Sequence, residues 1–287
     1  MSFASTSVQT TRHKYLKALH EHTGRNVIAY YSGFLTKGGY PGSEVTDDDK
    51  NGLMLAIHEL DRSKGLDIIL HTQGGSIAAA ESIVDYLRKM FGTNIRALVP
   101  GMAMSAGTMI ALSCREILMG KHSNLGPIDP QIGGIPALGV TQEFERAYRE
   151  IKADPLRAQV WGPILAKYRP SFISDCENAV AWSKEFVARE LENCMFNGLK
   201  TASRRAKKVV DSLSDYDGNK RHERHVHAEE CKSLGIRIKD IEANDALQDA
   251  LLSVHHCYMY TLTNTSAFKL IENHGGVGYV RNVGSAS

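Results

Sequence analysis

Two stretches of this chain place glycines, small residues and a hydroxyl where a strand gives way to a helix. The first is Leu70-His71-Thr72-Gln73-Gly74-Gly75. The second is Val99-Pro100-Gly101-Met102-Ala103-Met104-Ser105-Ala106-Gly107-Thr108. Paired glycines let backbone N–H groups approach a ligand closely, and a helix N-terminus offers N–H groups to a developing negative charge. A serine at such a turn acts as a nucleophile or simply caps the helix. Together the two exits hold the parts of an acyl-transfer site. One supplies the Ser105 hydroxyl and the Ala106 N–H, and the other supplies the N–H of Gly74 or Gly75.

These parts meet only if the exits sit at the ends of neighbouring parallel strands. The apolar periodicity predicts that arrangement. Strands are expected at Asn26–Tyr31, Leu66–Leu70, Asn94–Val99 and Glu116–Met119. Helices are expected at Asp47–Leu60, Ile77–Met90 and near Ser105–Cys114. This β-α-β rhythm implies parallel strands with right-handed crossovers, and ligands bind beyond the carboxyl ends of such strands. After Pro130 the pattern changes. Gln131–Gly139 reads as a Gly/Pro-rich loop. Helices follow at Thr141–Asp154, Pro155–Arg169, Ser171–Asn197, Thr201–Leu213 and Ala228–Leu234. A short strand is expected at Ile236–Ile238, and Asp245–Glu272 reads as mostly helical. The chain thus divides into an N-terminal arm at 1–25, an α/β core with the nucleophile at 26–140, and a helical region at 141–287.

Composition bounds the function. The 287 residues are 43% hydrophobic and 23% charged, and the formal net charge is +2. That balance excludes bulk disorder and a strongly basic nucleic-acid binder. The basic run Lys200, Arg204, Arg205, Lys207 and Lys208 shares its helix with the apolar Ala202, Ala206, Val209 and Val210, so it reads as a solvated face. Five cysteines without CxxC spacing indicate a reduced, cytoplasmic set. No signal peptide is visible, and no apolar run reaches the ~20 residues of a membrane helix.

The pattern xTxGG–helix–strand–PGMAMSAGT–strand–LGPIDPQ resembles the Clp-protease/crotonase fold, here a parallel β-α-β spiral with a helical C-terminal part. Within that fold it is most similar to the serine dehydrogenase proteinase family, relatives of signal peptide peptidase A. The likeness runs from about Asn26 to the C-terminus. It implies a cytoplasmic or membrane-associated serine endopeptidase that assembles into oligomers, acts on peptides or unfolded segments and needs no cofactor. It also implies that Ser105 is the nucleophile and that Gly74, Gly75 and Ala106 form the oxyanion hole. Gln73 stands where relatives usually have proline.

The general base is less evident. Leu125-Gly126-Pro127-Ile128-Asp129-Pro130-Gln131 lacks the histidine that Clp proteases carry after the serine helix. Relatives of signal peptide peptidase A use a lysine some tens of residues past the serine, and Lys152 has that spacing. A base lysine must be neutral, which burial promotes. Lys167 and Lys121 are weaker candidates. His71 is an alternative base or a supporting residue, and His122 and Asp129 are candidates for the cleft wall. A crotonase-type enzyme acting on acyl-thioesters and a decayed oligomeric scaffold are the competing readings. An α/β-hydrolase is excluded because position 103 of the G-x-S-x-G elbow is alanine.

The chain has twelve histidines. His222-Glu223-Arg224-His225 is one residue short of the HExxH zinc motif, and nearby Lys220, Arg221 and Arg224 would repel a cation, so no metal is expected. His255 and His256 read as core or subunit-contact residues.

Overall fold

Side chains that alternate across the strands separate two apolar cores, one on each face of a central sheet. A computed structural model of the chain describes residues 3–214 and 224–284. The sheet contains β1 (Asn26–Ser32), β2 (Leu66–His71), β3 (Ile95–Val99) and β5 (Glu116–Met119), all parallel. On one face lie Ile28, Tyr30, Ile68, Leu70, Ala97, Val99, Ile117 and Met119. Covering them are α2 (Asp49–Ile57), α3 (Ile77–Phe91), α4 (Ala106–Leu112), α7 (Phe172–Glu190) and α8 (Ala202–Ser214). On the other face lie Val27, Ala29, Tyr31, Ile69, Leu98 and Leu118. There α1 (Phe3–Thr23) and α10 (Asp245–Asn264) complete the packing.

The strand order is β10-β5-β3-β2-β1-β11-β12, where β10 is Ile238–Asp240, β11 is Ala267–Asn273 and β12 is Gly278–Asn282. A small second sheet joins β4 (Met102–Ala103), β6 (Asn124–Leu125) and β9 (Val226–His227). The remaining elements are β7 (Gln131–Ile132), β8 (Ile135–Pro136), α5 (Ala137–Ala153), α6 (Ala158–Leu165) and α9 (Ala228–Leu234).

The structure departs from the sequence reading in four places. The arm at 1–25 carries a 21-residue helix, α1, docked on α10. Gln131–Gly139 is not a loop but the β7–β8 hairpin leading directly into α5. The short strand after α9 begins at Ile238, at the end of the expected span. The largest difference lies at the end of the stretch Asp245–Glu272, expected to be mostly helical: its helix stops at Asn264 and Ala267–Asn273 follows. That segment is a fully buried strand, antiparallel to β1, and β12 extends it. Two charged residues hid it. Lys269 and Glu272 break the apolar run, yet both are buried in ion pairs, with Asp49 and Arg12 respectively.

Candidate active site

Ser105 stands between β4 and α4 with φ 49° and ψ −115°. Such a conformation is costly for a residue with a Cβ, and it persists only where the surroundings fix it. Here they do. Thr72 bridges β4 by donating its N–H to Met102 O at 3.1 Å and accepting from Met104 N–H at 3.0 Å. The Thr108 hydroxyl donates to Ala103 O at 2.7 Å and accepts from Gly126 N–H at 2.8 Å. The Ser105 side chain makes no capping hydrogen bond, so the turn is strained without the usual return of a helix cap. The residue is half-buried, with its hydroxyl available at the start of α4.

The glycine pair is shaped by contact. Gly74 has φ +99°, and a Cβ there would lie 2.6 Å from Ser105 Cβ and 2.7 Å from Met104 O. Gly75 has φ +155°, and a Cβ there would lie 2.4 Å from Val45 N. Val45 donates to Gly74 O at 2.8 Å and accepts from Ser76 N–H at 2.9 Å. This parallel bridge leaves the N–H of Gly75 pointing away from Val45. The N–H of Gly74 donates to Thr72 Oγ1 at 3.1 Å. Of the two glycines, Gly75 therefore has the freer donor. Gln73 sits in the turn with its side-chain amide on Ser43 Oγ at 3.1 Å.

A cleft of about 670 Å³ opens over these residues. Its lining includes Glu44, Gly74, Gly75 and Ser105, with Pro130 and Gln131 on one wall and Ala179 and Trp182 of α7 on another. Trp182 Nε1 donates to Glu81 Oε2 at 2.7 Å, which fixes the indole at the rim.

The base candidates lie elsewhere. Strand alternation puts Thr72 on the α4 face and His71 on the opposite face, against Tyr31, Phe34 and His255. His71 is 2% exposed, and both its ring nitrogens lack a hydrogen-bond partner among the described residues. Burial first, and then the neighbouring His255, hold its pKa down at about 3. Burial, with His256 and His122, holds His255 at about 4. Both values lie below the ordinary 6.5, so the unfolded chain takes up protons first. The stability from these two groups is complete above about pH 6.5 and is lost as pH falls toward 4 and then 3, by up to about 1.4 kcal/mol per pH unit for each. Urea unfolding at pH 7, 6, 5 and 4 should show this slope. A His71→Leu variant should make it shallower, with His255 and His274 supplying what remains, and an unchanged slope would contradict the assignment.

Lys152 is exposed on the last turn of α5, with its ammonium 5.8 Å from the Tyr148 ring centroid. The helix starts beside the cleft at Ala137, and Lys152 is fifteen residues further on, about 22 Å at 1.5 Å per residue. Lys152 is not among the residues that line the Ser105 cleft. Lys121 and Lys167 are also exposed and outside the cleft lining. Asp129 is buried behind the wall formed by Pro130 and Gln131, and His122 is exposed, its ring nitrogen 2.9 Å from Pro100 O. The lysine that does meet the burial requirement is Lys269, which the sequence reading missed. It is paired with Asp49 and screened from Ser105 by residues 43–46. Among the described residues no His, Cys, Asp or Glu group could hold a metal ion. His222 and Glu223 lie outside the described residues, and His225 and His227 are exposed.

A family model for the ClpP-like SDH-type serine proteinases matches residues 2–160, more than half of the chain. The chain belongs to that family. The Ser105 turn and the glycine pair both lie inside the matched segment. An uncharacterized protein of Methanocaldococcus jannaschii is 32% identical over 200 residues, covering 70% of this chain and 61% of that protein. A second uncharacterized protein of the same organism is 27% identical over 226 residues, covering 78% of this chain and 70% of its own length. The chain thus spans under two thirds of the first relative. Among solved structures, ClpP1 from Listeria monocytogenes superposes with a TM-score of 0.42 at 14% identity, covering 85% of this chain and 99% of that one. The parallel-rich sheet with helices on both faces is a mixed α/β fold, and the matched family is the one described as ClpP-like. No helix among the described residues is long and apolar enough to cross a membrane.

Proposed function

We propose that the chain is a cytoplasmic serine endopeptidase acting on peptides or unfolded segments through an acyl-enzyme on Ser105. One observation carries this reading: Ser105 is held in a strained, uncapped conformation at the cleft, against Gly74 and near Gly75, whose N–H points away from its strand partner Val45. In the reaction Ser105 Oγ attacks the peptide carbonyl. The Gly75 and Ala106 N–H groups receive the oxyanion, with Gly74 providing the close approach. The base takes the serine proton and passes it to the leaving amine. Water then hydrolyses the ester and returns the proton. The chain has no G-x-x-x-x-G-K-[ST] motif, which agrees with substrates that need no ATP-driven unfolding by the chain itself.

Lys152 remains the proposed base, supplied from a second copy of the chain. It does not line its own cleft, and three large hydrophobic residues near it, Tyr148, Leu156 and Val160, are exposed among charged ones such as Arg146, Asp154 and Arg157. An interface over that surface would strip water from Lys152 and favour its neutral form. Ser105→Ala and Lys152→Ala should each be inactive alone on fluorescein-labelled casein. When the two are co-refolded, hydrolysis should return to roughly a quarter of the wild-type rate, because some sites then combine an intact serine with an intact lysine. Full activity of Lys152→Ala alone would remove this base.

A further inference from the structure

Residues 43–46 form a strip with the oxyanion strand on one side and a buried ion pair on the other. On the first side, Val45 bonds Gly74 O and Ser76 N–H, and so sets the register of Gly75. On the second side, Lys269 Nζ donates to Glu44 O at 2.7 Å and to Asp49 Oδ1 at 2.6 Å. Lys269 and Asp49 side chains are both 0% exposed. Asp49 Oδ2 accepts from Thr46 N–H at 2.9 Å and from the Tyr30 hydroxyl at 2.7 Å. The Ser32 hydroxyl adds a bond to Ser43 O at 2.5 Å. Three consecutive residues of the strip, Ser43, Glu44 and Val45, are thus anchored through their backbone, and Thr46 through its N–H. The apparatus is drawn from β1, α2 and β11, which are distant in sequence.

Stability alone does not require this arrangement. Burying an ion pair is expensive, and replacing one by apolar groups is often neutral. What the pair does here is fix a carbonyl one residue from Val45, the strand partner of Gly75 among the described residues.

We propose that Lys269 and Asp49 are positioning residues, whose buried pair holds residues 43–46 so that Val45 aims the Gly75 N–H at the developing oxyanion. This rests on the reading of Gly75 as an oxyanion donor. The pair touches neither substrate nor Ser105. Its loss therefore slows the chemical step and leaves ground-state binding in place.

The probe is a fluorophosphonate, whose attack by Ser105 builds charge at the same oxyanion position. In Lys269→Met, and in the charge-free Lys269→Met/Asp49→Asn, the maximal phosphonylation rate should fall about 10- to 100-fold, with half-saturation within about twofold of wild type. The double variant leaves no unpaired buried charge and keeps the acceptors for Tyr30 and Thr46, so it preserves the test if the single variant fails to fold. Circular dichroism and thermal unfolding confirm its fold. A merely structural role would lower the melting temperature and leave the rate per folded molecule unchanged. A folded double variant that labels at the wild-type rate overturns the inference. Absence of Ser105 labelling in the wild-type protein would instead sink the reading on which it rests.

Discussion

Ser105→Ala should lower peptide hydrolysis by at least about 10⁴-fold while leaving the fold intact. The size follows from the chemistry. Without the hydroxyl no acyl-enzyme forms, and only transition-state contacts to the Gly75 and Ala106 N–H groups remain. The stability of the variant should lie within about 0.5 kcal/mol of wild type, because the hydroxyl makes no capping bond and alanine keeps the same Cβ at the same strained φ. Casein hydrolysis and urea unfolding measured side by side would separate the two effects. A capping serine would show the reverse, with stability reduced by about 1 kcal/mol and activity retained.

Gly74→Ala should be the second severe change, and it should affect both readouts. The new Cβ would stand 2.6 Å from Ser105 Cβ, 2.7 Å from Met104 O and 3.0 Å from Ala106 N. Two of those three contacts are backbone, so the nucleophile turn itself would have to move. The φ of +99° adds strain for any side chain. A loss of about 1–3 kcal/mol in stability and of about 10²–10³-fold in the chemical step is expected. Wild-type hydrolysis by a folded Gly74→Ala protein would mean that the close approach of Gly74 to Ser105 has no part in the reaction.

The Ser105 turn and its sheet were legible in the sequence because they rest on local signals. The runs at Asn26, Leu66, Ile95 and Glu116 are apolar enough to be buried on both faces, and a Gly-rich exit marks where two of them end. What stayed hidden depends on long-range pairing. Lys269 and Glu272 look like solvent-facing helix residues until Asp49 and Arg12, more than 200 residues away, are brought beside them. The choice between Gly74 and Gly75 was equally invisible, since it turns on Thr72 Oγ1 engaging one N–H and Val45 orienting the other. The side that His71 faces follows from strand alternation. One residue along a strand reverses the face, and His71 is adjacent in sequence to Thr72 but opposite in space. The spacing of Lys152 from Ser105 carries no information about helix direction, and Lys152, on the last turn of α5, is not among the residues that line the cleft.

Activation of the Ser105 hydroxyl is tested most directly by incubating the wild-type protein and Ser105→Ala with a fluorophosphonate and mapping the adduct by peptide mass spectrometry. The expected result is a single phosphonylated site in the wild-type chain, on Ser105, with none in the variant. An unlabelled wild-type protein, or equal labelling of both proteins at another residue, would contradict it.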